Sequence, residues 1–292
     1  MAKKITVSIA IINLILALAA LICIIPLVHI IAISFSESSV AIAGNVYFVP
    51  KQFTLASYEK LMTEGIFGRS FMISVLRVVM AVVISMPIMI IMAYALSKSP
   101  KVFRERNIVM WIAVFTMLFN GGLIPLYIII RSYKLIDSFW VLVLPSVMNV
   151  FNMIIMMNFF RGVPVELEEA AVIDGAGVMR TLVSVYLPVS LPSLATITLF
   201  TVVNHWNDFF WGMIFMNKPE NYPLQTYIRS LTLPTDTITS TMDPKLLAEY
   251  MKISGLTFNA SKIVISMLPI LVVYPFLQKY FVSGLVMGSV KE

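Results

Sequence analysis

Two stretches and one isolated arginine concentrate the polar chemistry of this chain. Between Arg161 and Pro188, the run RGVPVELEEAAVIDGAGVMRTLVSVYLP carries four carboxylates, Glu166, Glu168, Glu169 and Asp174, followed by Gly175 and Gly177. A helix start is expected at Val163-Pro164, because proline suits the first helical position and carboxylates suit the positive end of the helix dipole. Gly175 permits a left-handed turn, and Asp174 is placed to cap a second short helix on which Val178, Leu182 and Val185 recur at helical spacing. Two short helices meeting at an angle make a docking shape, although an ordinary amphipathic loop fits the same pattern. The second stretch is NHWNDFFWG, with Asn204, His205, Trp206, Asn207 and Asp208 running into Phe209, Phe210 and Trp211. Planar hydrogen-bonding groups beside aromatic faces suit a sugar, and equally an aromatic belt with Asp208 near water. His205 has no second histidine at metal-ligand spacing, so no metal site is expected. With two histidines and one cysteine in the chain, no catalytic constellation presents itself.

The elements that must position these groups are apolar helices. Hydrophobic residues make up 59% of the 292, and charged residues only 12%, about half the charged share of soluble domains. The net charge of +6 does not point to nucleic acid, because the basic residues are dispersed and bracket apolar runs. Cys23 is alone, so no internal disulfide forms. Six spans are expected, over about 9–33, 70–96, 108–130, 140–160, 189–215 and 260–282. The first is too long for the apolar region of a signal peptide and is taken as uncleaved. Arg77 lies inside the second span, where an arginine must face protein or water; lining a substrate cavity and pairing helices both satisfy that. Lys98, Lys101, Arg104 and Arg106 crowd one short loop, and Lys3 and Lys4 precede the first span. Under the positive-inside rule both segments are cytoplasmic. Asn120-Gly121-Gly122 and Pro125 permit a kink in the third span, and Pro145 breaks the fourth, which carries Asn149, Asn152 and Asn158. Residues 216–258 form a long outer loop, in which Asp243-Pro244 reads as a cap ahead of Leu246, Leu247, Tyr250 and Met251. The 20 methionines are scattered as flexible packing.

The segment 161–188 resembles the EAA loop of ATP-binding-cassette (ABC) importer permeases. Glu169-Ala170-Ala171 is followed at the family's spacings by Gly175, by Val185 in place of isoleucine, and by Leu187-Pro188. The longer form through Asp174 and Ala176 looks like the carbohydrate branch, and FNGGLIPLY and the W-N-x-F stretch are similar to sugar permeases as well. The resemblance implies an all-α polytopic membrane protein of the type I importer permease fold, one domain with six transmembrane helices and both termini cytoplasmic. It implies a bacterial cytoplasmic-membrane location and membrane lipid as surroundings. The implied partners are a homologous second permease forming a heterodimer, two ATP-binding subunits and an extracytoplasmic solute-binding protein that contacts the outer loop. The chain itself would be non-catalytic and hold no cofactor, with ATP and magnesium on the ATPase; no GxxxxGK[ST] phosphate loop occurs here. Carried over residue by residue, Glu169, Ala170, Ala171, Asp174, Gly175, Ala176, Leu187 and Pro188 would couple to the ATPase. Arg77, Asn204, Trp206, Asn207 and Asp208 are candidates for the substrate path, with Arg77 a convenient cation for acidic sugars. A secondary transporter, or a permease for a non-sugar solute, is the rival reading. It would need coupling-ion residues in broken helices, and inverted repeats are not evident.

Overall fold

Apolar runs with no water to satisfy their backbone must close every hydrogen bond internally, and helices do so within one segment. The computed structural model describes residues 7–63, 65–230 and 255–289, and these form helices with one isolated bridge between Ser36 and Phe53. The expected cap at Asp243-Pro244 and the face Leu246, Leu247, Tyr250 and Met251 lie outside the described residues, as do Lys3 and Lys4. Three helices are long and apolar enough to cross a membrane unaided: Ala10–Ser34, Ile66–Ser97 and Gly255–Pro275. At about 1.5 Å per residue, the 32 residues of Ile66–Ser97 exceed a hydrocarbon core of about 30 Å.

Three further pairs of helices are bent, and six crossings result only if each bent pair counts as one. Arg106–Leu118 and Leu123–Ser132 meet at 112°. The break falls at Asn120-Gly121-Gly122, where Gly122 takes φ +89° and donates its N–H to the Asn120 side chain at 2.9 Å. The expected kink is therefore a sharp corner, since a left-handed residue cannot continue a right-handed helix. Phe139–Ser146 and Val150–Arg161 differ by 48°. Here Pro145 leaves only two 3₁₀ turns, and Asn149 caps the next helix by accepting from the Asn152 N–H at 3.0 Å. Val178–Val189 and Leu191–Asn207 meet at 84° across Ser190. The expected fifth span runs to 215, but its helix stops at Asn207 and a separate turn of helix covers Phe210–Phe215. The last helix extends from Gly255 to Ser289, past the expected end at 282.

The chain divides into two units. The first comprises 1–67 and 230–269; Ala32, Ile33, Ala41, Val46 and Ala260 form its buried cluster, and Phe35 stacks between Phe53 and Tyr58. The second comprises 68–229 and 270–292 and contains both candidate stretches. Its largest cluster joins Met86, Met89, Tyr94 and Leu96 to Met153, Met156, Phe160, Leu182, Tyr186 and Ile197. Methionine is unbranched and polarizable, which suits it to the irregular gaps where several helices converge. At the start of Ile66–Ser97, Arg69 donates to the Asn221 side chain at 3.1 Å, and Asp137 accepts from the N–H groups of Asn217 and Lys218. That end of the unit is thereby tied together by the loops 132–138 and 216–222.

Candidate functional site

At the opposite end of Ile66–Ser97, the segment after Arg161 folds as two short helices. Val165–Ile173 begins directly after Pro164, whose φ of −55° and ψ of 133° set the entry of the chain. It ends on Gly175 at φ +76°, the left-handed residue expected there. The Ala176 N–H donates to the Ala171 carbonyl at 2.8 Å and the Gly175 N–H to Val172 at 3.0 Å, a Schellman closure that satisfies carbonyls the helix would leave open. Asp174 closes this first helix at its C-terminus; the second, Val178–Val189, starts after Gly177, so the expected capping by Asp174 does not occur. A π-helical turn over Leu182–Tyr186 inserts one residue into that second helix and coincides with burial of both Leu182 and Tyr186.

The four carboxylates separate into two groups. Glu166, Glu169 and Asp174 are exposed and have no hydrogen-bond or ion-pair partner for their carboxylates among the described residues. Around them Val172, Val178 and Met179 are exposed, and Ile173 is 85% exposed, an uncovered apolar surface beside unpaired acids. Glu168 behaves otherwise. Lys98 donates to its Oε1 at 2.5 Å and the Tyr186 hydroxyl to its Oε2 at 2.6 Å. Lys98 Nζ also donates to the Tyr186 oxygen at 3.0 Å and sits 4.2 Å and 4.4 Å from the ring centres of Tyr94 and Tyr186. The ammonium is thus held by a carboxylate, a phenol and two aromatic faces, each favourable to a cation. This clasp ties Val165–Ile173 and the π turn to the end of Ile66–Ser97, and sets the basic loop beginning at Lys98 beside the acidic segment. Arg106 and Arg161 donate to the Leu96 carbonyl at the same helix end, where cations complement the dipole. Neither Lys98, Glu168 nor Tyr186 stood out in the sequence as a site residue. The available signal was a tyrosine one residue before Leu187-Pro188, in an otherwise aliphatic run.

Burial disfavours the Lys98 ammonium, but its bonds to Glu168 and Tyr186 outweigh this and leave its pKa raised. Burial likewise pushes the Glu168 carboxyl up, and the bonds from Lys98 and Tyr186 bring it below its ordinary value. Glu168 therefore stabilises above the ordinary glutamate range and is lost as pH falls through its lowered pKa. Lys98 contributes below the ordinary lysine range and is lost as pH rises through its raised one. Protection of the amides of 165–186 against hydrogen exchange, taken relative to their intrinsic exchange at each pH, should accordingly be flat near neutrality and fall at both extremes. Lys98→Met should lower that protection at neutral pH, by about 1 kcal/mol for a pair open to solvent on one side. Unchanged protection in that variant would rule the clasp out.

The second candidate stretch lies in the interior of the same unit. Arg77 is 1% exposed, and each of its three side-chain nitrogens donates: Nε to the Leu142 carbonyl at 3.0 Å, Nη1 to the Asp208 carbonyl at 2.9 Å, and Nη2 to the Asp208 carboxylate. The other Asp208 oxygen accepts from the N–H groups of Phe210 and Trp211, which is why the helix breaks there. Structure thus brings Arg77 and Asp208 together as a bolt between elements, and the guanidinium is not open to a sugar. Trp206 is 4% exposed and packs edge-on against Phe71, so its faces are not a platform. Asn204 and Asn207 are exposed. Asn204 and His205 line a polar recess with Ser85, Ser146, Asn149 and Asn152. The sequence set His205 aside as a metal ligand and placed Asn149 and Asn152 on the fourth span.

No protein-family model matches the chain. It is 36% identical over 276 residues to the polygalacturonan/rhamnogalacturonan transport system permease protein YtcP of Bacillus subtilis (strain 168), covering 94% of this chain and 95% of that one. It is 27% identical over 284 residues to the arabinooligosaccharides transport system permease protein AraQ of Halalkalibacterium halodurans, covering 94% of each. A chain in the crystal structure of a bacterial ABC transporter involved in the import of the acidic polysaccharide alginate superposes with a TM-score of 0.81 at 31% identity, over 96% of this chain and 99% of that one.

Proposed function

Because the chain belongs to the ABC transporter permease family, we propose that it is one membrane subunit of an ATP-driven, binding-protein-dependent importer of oligosaccharides. The observation that carries this reading is the division of the acidic segment: Glu168 clasped inward, with Glu169, Asp174 and an apolar rim turned out. A segment built this way is fixed to its own helices on one side and open to a partner on the other. Glu169, Ala170, Ala171, Asp174, Gly175, Ala176, Leu187 and Pro188 form the coupling segment, held against a cytoplasmic ATPase that supplies ATP and magnesium. Glu169 pairs with a cation on that subunit. The clasp to Lys98 passes movement of the docking helices to Ile66–Ser97. Six crossings with both termini cytoplasmic agree with the basic loop 98–106 lying at the docking end. The bilayer is the bacterial cytoplasmic membrane, and a homologous permease completes the pathway. An outer binding protein delivers sugar near the segment 216–258. ATP acts by favouring one of two states of the cavity, since a ligand shifts an equilibrium only through its differential affinity.

Polygalacturonan, rhamnogalacturonan and arabinooligosaccharide relatives and the importer of the acidic polysaccharide alginate make oligosaccharides of these kinds, acidic ones included, the first to screen. Purification of the tagged chain should bring down an ATPase and a second permease. Uptake into vesicles should require both ATP and the binding protein. Uptake driven by an ion gradient without either would overturn the reading in favour of a secondary transporter.

A further inference from the structure

We propose that Gly212, Thr226 and Ser74 form a joint that positions the segment 216–258 and couples it to Ile66–Ser97. The inference rests on the importer reading above and adds how an event at the outer face reaches the docking end within this one chain.

Close approach of two backbones makes the joint. Gly212 is buried in Phe210–Phe215, against the helix that begins at Leu224. A Cβ on Gly212 would collide with Thr226 Oγ1 and stand 2.9 Å from Thr226 Cβ and 3.1 Å from Pro223 Cδ. Thr226 is branched at Cβ and Pro223 is a closed ring, so neither swings aside as the end of a long side chain would. A residue without a side chain is what lets the two elements come this near.

Polar contacts lock the approach. Thr226 is fully buried, and its hydroxyl donates to the Phe209 carbonyl at 2.9 Å. The Leu224 N–H donates to the Ser74 hydroxyl oxygen at 2.7 Å, and both residues are buried. A buried backbone N–H needs an acceptor, so Ser74 holds the first turn of Leu224–Ser230 on Ile66–Ser97. Arg69 adds its bond to Asn221 just before that turn. The described part of 216–258 is therefore fastened both to Phe209–Phe215 and to Ile66–Ser97.

The place of Ser74 on its helix gives the joint its consequence. Ile66–Ser97 is one continuous helix, and Lys98, directly after it, clasps Glu168 of the docking segment. At about 1.5 Å per residue, Ser74 and Ser97 stand roughly 35 Å apart. The same rod is thus gripped near one end by Leu224–Ser230 and at the other by Val165–Ile173. Close-packed contacts hold or break and do not stretch, so a displacement of Leu224–Ser230 either carries Ile66–Ser97 with it or opens the joint. A binding protein seated outside biases the docking helices by this route, and the ATPases bias the outer segment in return, because coupling is reciprocal.

The test uses the complete complex in nanodiscs and measures ATP hydrolysis with and without the binding protein, loaded with whichever of trigalacturonate and arabinotriose the unaltered complex takes up. In Gly212→Ala, stimulation by the loaded binding protein should fall about fivefold or more, while hydrolysis without it stays within about twofold of the original. Thr226→Val keeps the shape and loses the hydroxyl, and its stimulation should fall about threefold; Thr226→Ser keeps the bond to Phe209 and should match the original. Thr226→Val conserves volume, so it folds even if Gly212→Ala does not. A merely structural role would lower both rates together and leave their ratio unmoved. Assembled variants with an unchanged ratio therefore overturn the joint, with the importer reading intact. Absence of uptake of either sugar by the unaltered complex, with ATP and binding protein present, removes the importer reading and the joint with it.

Discussion

Glu169→Lys is expected to abolish ATP-driven uptake while the protein reaches the membrane at its normal level. Glu169 is exposed on Val165–Ile173 beside uncovered Val172 and Ile173, and its carboxylate touches no other described side chain. Nothing within the chain is therefore lost by reversing its charge. Everything lost is lost at a partner, where removing one member of a buried charge pair costs about 2–5 kcal/mol and a like charge adds repulsion. Uptake should fall by two orders of magnitude or more, and the ATPase should no longer co-purify. Normal uptake would refute the assignment of Glu169 to the interface. Gly175→Val should produce the same loss from the other direction. Its φ of +76° is strained for a β-branched residue, so the Schellman closure opens and Val165–Ile173 loses its angle to Val178–Val189.

Asp208→Leu is expected to be the most destabilising single change in the second unit. It leaves the Arg77 guanidinium almost wholly buried without its counter-charge, and it releases the N–H groups of Phe210 and Trp211. Breaking a buried pair by removing one partner costs about 3–5 kcal/mol. That corresponds to a fall in Tm on the order of 10 °C, readable by thermal aggregation in detergent. Removing both charges, as Arg77→Met with Asp208→Leu, should recover much of the loss, because no orphaned charge remains. Two single variants as stable as the original protein would show that the pair does not hold these elements together.

Both predictions depend on side chains whose types are plain in the sequence and whose orientations are not. The sequence places two adjacent glutamates, 168 and 169, at the start of the family spacing, and nothing local says which is buried. On a helix, neighbouring residues point about 100° apart, so one packing decision fixes both. That decision comes from Lys98, 70 residues earlier in the chain, and Tyr186, 18 residues later. Arg77 shows the same limit. Its position inside an apolar run required a polar neighbour, and cavity and helix pairing answered equally well until Asp208, 131 residues on, was brought against it.

What the sequence determined by itself was what depends on neighbours along the chain. Apolar runs of about 20 residues marked the membrane helices, the spacing from Glu169 to Pro188 marked the bent acidic segment, and Gly175 provided its left-handed turn, because only glycine takes that conformation freely. Tertiary structure decided the rest: the inward turn of Glu168, the pairing of Arg77 with Asp208 and the unpaired nitrogen of His205. Each of these depends on which distant group arrives to satisfy or abandon a polar atom, and a pattern of three or four residues along one helix carries no information about that arrival.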